Sequence, residues 1–434
     1  YEFNIFLMMI YNKNLWNRFY FYFLFFLISI FYIQLYYDAS YEIMGDKWSY
    51  NNLFINYSAG FVRRGLLGEF FLLINKTYNT SPLDFFPKIF FTLYFIQLII
   101  FFKLIYKFKK YKLFVTFLIL SPSLLLFNIY EINVILSKDI FLNISILLHA
   151  LIVSNRSISI KTYKKILFFL LFPILIINIF IHENQIIFLP FHLLLSAYFL
   201  KENKNKFRNY NLLKSYSVFL IPLIIILNSS ISYEQFLIIN DSIKKFDATL
   251  PNQVAGNINL LIGGFIKWHF FYHDTINFIR LFFCILLSLF LIYIIFHKLI
   301  IEKIIYSNNF NVNYYLYFIL PSFVIFGLML DHGRSINLIL MHMLSFYLIL
   351  EFNTLKFEKN YYNIFNNFVV KNLIYVFLIF YVFFWYLPQG GGFTGIGNFN
   401  TLFKSGFSEK ILELFLIVYN YIDMNITTLP RINI

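Results

Sequence analysis

The chain of 434 residues is 60% hydrophobic and only 13% charged, with a mean hydropathy of +0.70. A soluble domain carries about 25% charged residues, so an ordinary water-facing surface is excluded, and lipid is the solvent that suits what remains. The formal net charge of +14 invites a nucleic-acid partner, but Lys and Arg gather in short segments between apolar runs, which is the pattern of membrane orientation. No nucleic-acid partner is expected, and the excess of Phe and Tyr reads as coding bias.

The expected fold class is all-α: a polytopic integral membrane protein, one transmembrane domain over residues 1–434, with about eleven spans. The first span, 17–37, continues the N-terminal apolar run with no small-residue cleavage site, so no cleavable signal peptide is expected. A long loop, 38–83, follows and carries Asp38 and Asp46. Within it, 60–74 (GFVRRGLLGEFFLLI) is too short and too charged to span and predicts an amphipathic helix in the membrane interface.

Further spans are expected at 84–106, 112–129, 139–154, 166–182, 185–200 and 213–231. The loop 232–275 separates them from spans at 276–298, 313–330, 335–352 and 369–387. A glycine run at 390–392 and a second amphipathic stretch at 409–422 complete the chain. The short loops holding Lys107, Lys109 and Lys110, then Lys161, Lys164 and Lys165, then Lys201, Lys204 and Arg208, share one side of this arrangement. Short Lys/Arg-rich loops stay in the cytoplasm, which puts the N-terminus inside and 38–83 and 232–275 outside. The one cysteine, Cys284, lies in an apolar run, which excludes an intrachain disulfide and a cysteine-based metal site.

The residues able to do chemistry fall on the outer side. Arg63 and Arg64 run against the positive-inside bias, and Arg offers a rigid donor fork that matches phosphate oxygens. Glu69 accompanies them, and Gly60, Gly65 and Gly68 allow backbone or a lipid headgroup to come close. The bland alternative is an interfacial anchor with snorkelling arginines. Lys138, in the turn Ser137-Lys138-Asp139, opens a span, and such a turn is often only a cap. His182 and Glu183 interrupt two spans with almost no loop, a costly place for ionisable groups unless they work. HE lacks the second His of a zinc motif, so no metal is expected. Asp331, His332, Gly333 and Arg334 form a similar turn, alternatively a helix cap in water. His149, His192, His297 and His342 lie in or near spans and read as packing residues.

Taken in order, GFVRRGLLGE after the first span, a Lys-Asp turn after a Ser-Pro-containing span, HE before an apolar run containing Pro190, and DHGR before a late span resemble bacterial inner-membrane proteins of surface-polysaccharide assembly, the O-antigen polymerase-like proteins and related multi-span, GT-C-like glycosyltransferases. The resemblance implies a periplasm-facing enzyme acting on sugars carried by undecaprenyl diphosphate, in contact with membrane lipids and polysaccharide-assembly proteins, with no cofactor. Arg63, Arg64 and Arg334 would then hold the diphosphate beside Lys138, His182 and His332, with Glu69, Asp46, Glu183 or Asp331 as base. The alternative class is a transporter or flippase of lipid-linked or small anionic substrates. Such a protein should carry polar or helix-breaking positions near the midplane.

Overall fold

The computed structural model describes residues 13–42, 53–79, 82–130, 136–155, 157–202, 214–229, 232–244, 286–288 and 332–351, with 372–373, 375–377 and 381. Every regular element among the described residues is helical. The longer ones are α1 (Lys13–Glu42), α2 (Gly65–Tyr78), α3 (Pro82–Ile105), α4 (Lys112–Ile119), α5 (Asp139–Ser154), α6 (Ile160–Ile181), α7 (Gln185–Glu202), α8 (Leu220–Leu227), α9 (Tyr233–Lys244) and α10 (His332–Glu351).

Among the described residues, three stretches are long and apolar enough to cross a membrane: Asn14–Ile33 in α1, Phe85–Phe108 along α3, and Ile160–Ile181, which is α6. At 1.5 Å per residue, about 20 residues match a hydrocarbon thickness of about 30 Å. In α1, Phe21, Leu24, Ile28, Phe31 and Tyr32 recur at helical spacing and are buried, while Phe19, Tyr22, Phe23 and Phe26 are exposed. An exposed face of large aromatics is costly in water and unremarkable in lipid.

α5 is the central helix. It packs against α3, α10, α7 and α6, and α1 lies beyond it against α3. Its interior positions are apolar (Ile140, Leu142, Ile146, Leu147, Ala150), yet Asp139, Asn143, Ser145 and His149 are buried with them. A 16-residue helix enclosed on several sides positions its polar side chains rigidly.

The expected continuous span at 112–129 is not present. The helix stops at Ile119 because Pro122 has no amide proton and disfavours helical geometry in the residue before it. The chain then turns through 122–126 into one helical turn at Phe127–Tyr130. Carbonyls released by the break find partners. Asn337 Nδ2 donates to Ser123 O and Leu124 O, both at 3.0 Å, and the Tyr32 hydroxyl donates to Leu125 O at 2.9 Å. Irregular backbone inside an apolar bundle persists only when satisfied in this way.

α6 contains a π-bulge at Leu167–Leu171, just before Pro173, where the Phe172 amide reaches back to Leu167 O. An extra residue in the ladder accommodates the donor that Pro173 lacks. The expected loop 232–275 begins with α9. Of the expected spans, 276–298 and 313–330 lie outside the described residues apart from 286–288, and 369–387 is described only at 372–373, 375–377 and 381.

Candidate functional site

The loop 53–64 enters the bundle before α2. Leu53, Phe54, Ile55 and Asn56 are fully buried in it. The expected helix at 60–74 therefore starts later, at Gly65, and runs to Tyr78. Gly68 explains how the loop fits: a Cβ there would collide with the Ile55 carbonyl, and one on Gly65 with the Tyr57 ring. The close approach expected at these glycines is thus made by the chain's own backbone and an aromatic ring. Gly60 sits at φ +99° with open space around it, a turn that glycine alone adopts easily.

Arg64 is the N-cap of α2 and holds φ 64°, ψ 8°. A left-handed arginine is strained by about 1–3 kcal/mol and persists only when its surroundings fix it. Its carbonyl accepts from Lys138 Nζ at 2.9 Å. Its guanidinium grips Glu183, with Nε 2.8 and 2.7 Å from the two carboxylate oxygens and Nη2 2.5 Å from Oε1. This charge-assisted fork is the strong form of the interaction.

A second pair lies beside the first. Arg334, in the first turn of α10, places Nε 2.7 Å from Asp139 Oδ2, which also accepts from the Ser137 hydroxyl at 2.6 Å. His182 sits between the pairs. Its Nδ1 accepts the Asn184 backbone amide at 3.3 Å, and its Nε2 lies 3.4 Å from both Asp139 Oδ1 and the Asn184 side-chain nitrogen. Its Nδ1 is also 4.0 Å from Glu183 Oε2.

The electrostatics follow from burial and partners. Burial pushes the Glu183 carboxyl up, but the Arg64 guanidinium overrides it and leaves the group well below the usual carboxylate range. Burial pushes the Lys138 ammonium down, the Arg64 charge adds to this, and Glu183 offsets only part, so Lys138 falls to about 7. Arg63 is pushed down by burial while the Glu183 charge favours it.

The structure therefore gathers Arg64, Lys138, His182, Glu183 and Arg334 from four separate stretches of sequence into one network. Asp139 joins them; its turn, Ser137-Lys138-Asp139, stood out in the sequence, but only Lys138 was named as a candidate from it. Glu69 is bonded elsewhere: its Oε2 accepts the Tyr57 amide at 2.9 Å and clamps the entering loop. Asp46 and Asp331 lie outside the described residues, and His332 is described only as the first residue of α10.

Deeper in the bundle lies a second polar cluster. His149 is about 15 Å along α5 from Asp139, and His342 about 12 Å along α10 from Arg334, at 1.5 Å per residue. His149 Nδ1 is 3.0 Å from His192 Nδ1, and His149 Nε2 is 2.8 Å from the Tyr163 hydroxyl. Tyr163 contacts Ser196 Oγ at 2.7 Å, Ser196 contacts the Tyr216 hydroxyl at 2.8 Å, and Tyr216 donates to His192 O at 3.0 Å. Of the histidines read as packing residues, His149 and His192 thus also form a hydrogen-bonded link between helices, and His297 lies outside the described residues.

Comparison of the chain with protein-family models, curated proteins and solved structures gives no match.

Proposed function

We propose that the chain is a membrane enzyme that binds a polyprenyl-diphosphate-linked sugar and transfers the glycosyl group in surface-polysaccharide assembly. The observation that carries this reading is the network of Arg64, Lys138 and Arg334 with Glu183 and Asp139, with Arg63 adjoining. Among the described residues of the network, three guanidiniums (Arg63, Arg64 and Arg334) stand with two carboxylates before Lys138 is considered. An excess of fixed, partly buried donors is suited to an anion that itself lies at the membrane surface.

The chemistry needs such a site. When the bond from the anomeric carbon to the diphosphate breaks, negative charge develops on the leaving phosphate, and preoriented guanidiniums stabilise it without reorganising. The membrane holds donor and acceptor at similar depth, which lowers the entropy cost of their meeting.

We place this network on the extracytoplasmic face of a bacterial inner membrane. The order of elements supports a one-sided site: Lys138 opens α5, whose far end leads to the Lys161–Lys165 segment, and Glu183 follows α6, whose first turns carry that segment. The alternative, transport of an anionic lipid, draws support from the polar histidine cluster at depth, which an interfacial enzyme does not require.

The test uses the difference between charge and geometry. In cells whose copy of the gene is deleted, Arg64→Lys and Arg334→Lys should insert normally yet reduce glycan polymer by about 10²–10³, the usual cost of losing one transition-state donor. Normal glycan from both variants at normal protein level overturns the reading.

A further inference from the structure

We propose that Lys138 is the group that takes the proton from the acceptor hydroxyl; this rests on the glycosyl-transfer reading above. The carboxylates of the network are poorly placed for that task. Both oxygens of Glu183 lie on the Arg64 guanidinium. Asp139 Oδ2 accepts from Arg334 and Ser137, while its Oδ1 is buried without a hydrogen bond among the described residues, 3.4 Å from His182 Nε2. A carboxylate held by guanidinium donors is a weak proton acceptor because each partner stabilises the charged form. Both ring nitrogens of His182 are engaged: Nδ1 accepts the Asn184 backbone amide, and Nε2 lies 3.4 Å from Asp139 Oδ1 and from the Asn184 side-chain nitrogen.

Lys138 differs in kind. It is 4% exposed, and its Nζ donates to a neutral carbonyl, Arg64 O. The charged groups around it are Arg64 and Glu183, with Asp139 next to it in sequence and paired to Arg334. Burial and the Arg64 charge bring it to about 7, so near neutrality it exchanges between ammonium and amine. As an amine it keeps a hydrogen for Arg64 O and offers one lone pair. Arginine can supply no such lone pair at any working pH.

The step balances as follows. The acceptor O–H proton moves to the Lys138 amine, which becomes an ammonium. The acceptor oxygen forms a bond to the anomeric carbon, and the bond from that carbon to the diphosphate oxygen breaks. The electron pair leaves with the diphosphate, whose charge faces Arg64 and Arg334. The ammonium then returns its proton to water. The new positive charge appears as the leaving group gains negative charge, so each favours the other.

The test has two independent readouts. In membranes of the source cells, with endogenous lipid-linked glycans radiolabelled, transfer by the native protein should rise with pH through about 7 and then level. Lys138→Arg keeps the charge and removes the lone pair, so transfer should fall about 10²–10⁴-fold, the usual weight of a general base, and the limb near 7 should vanish. Purified ¹⁵N-lysine protein in nanodiscs should show one lysine resonance titrating near 7 that Lys138→Arg and Lys138→Met both delete. Stabilisation of each variant by farnesyl diphosphate reports whether the fold and the anion site survive. Transfer by Lys138→Arg within about threefold of native, with the same pH limb, overturns the role of Lys138 alone, as does the absence of the titrating resonance. A native protein that neither binds farnesyl diphosphate nor transfers sugar overturns the reading of function on which the role rests.

Discussion

Removing the charge of Asp139 is the sharpest structural perturbation the network offers. Asp139 is 5% exposed and faces Arg334, Ser137 and His182 together. In Asp139→Asn the Arg334 guanidinium would stay in a poorly hydrated place without its counter-charge. Breaking one side of a buried ion pair costs about 3–5 kcal/mol, most of it the penalty on the group left behind. Arg334→Met should cost a similar amount, leaving Asp139 with Ser137 and His182 only. The double variant Asp139→Asn/Arg334→Met removes both charges, and the loss should be less than the sum of the singles by about 1–3 kcal/mol. The assay is reversible unfolding in bicelles by SDS titration, each variant checked for insertion. Single-variant losses below about 1 kcal/mol, or losses that simply add, would refute the claim that this pair is buried and mutually dependent.

Other outcomes follow from the same geometry. Gly68→Ala should destabilise by about 1–3 kcal/mol by forcing the Ile55 carbonyl away from α2, whereas Gly60→Ala meets open space and pays only backbone strain; equal melting temperatures for Gly68→Ala and the native protein would contradict the packing described. In the histidine cluster, Tyr216 donates to His192 O, so Ser196 must donate to Tyr216, Tyr163 to Ser196, His149 Nε2 to Tyr163 and His192 Nδ1 to His149. His342 Nδ1 lies 2.7 Å from Leu338 O and must also carry its proton. ¹⁵N spectra should therefore show His149 as the Nε2–H tautomer and His192 and His342 as Nδ1–H, and the opposite tautomer at His149 would break the chain of reasoning. Because Lys138 is lowered to about 7 in the folded protein from 10.5, the unfolded state binds more protons between those values. Stability should thus rise with pH from about 7 to 10, and Lys138→Met should lose that rise, as pH-dependent unfolding in bicelles would show.

The membrane-helix class was legible because apolar runs of helical length are a composition property, and among the described residues three of them stand as long apolar helices. Arg64, Lys138, His182, Glu183 and Arg334 were legible as candidates because each breaks an apolar pattern near a helix end. Their partnerships were not legible: Arg64 with Glu183 and Arg334 with Asp139 join residues far apart in sequence, and only the packing of α2 against α6 and of α5 against α10 brings them together. Glu69 looked like a base because it follows two arginines, yet one turn of α2 aims it back at the Tyr57 amide. The break after Ile119 was visible in Ser121-Pro122, but the apolar count of 112–129 outweighed it. The histidines sat at helical spacing with other polar residues (Gln185, His192 and Ser196 on α7; Ser335, His342 and Ser345 on α10), a buried polar stripe that a residue-by-residue weighing does not reveal.

Binding of a diphosphate lipid to the native protein tests the central claim most directly. The purified protein in nanodiscs would be titrated with farnesyl diphosphate, farnesyl monophosphate and farnesol while its unfolding temperature is followed. A ligand at about 100 times its dissociation constant stabilises the folded state by about 2.7 kcal/mol. The account predicts clear stabilisation by the diphosphate, less by the monophosphate and none by farnesol, with the diphosphate effect strongly reduced in Arg64→Lys and Arg334→Lys. Equal responses to all three lipids, or a diphosphate response unchanged in both Lys variants, would contradict it.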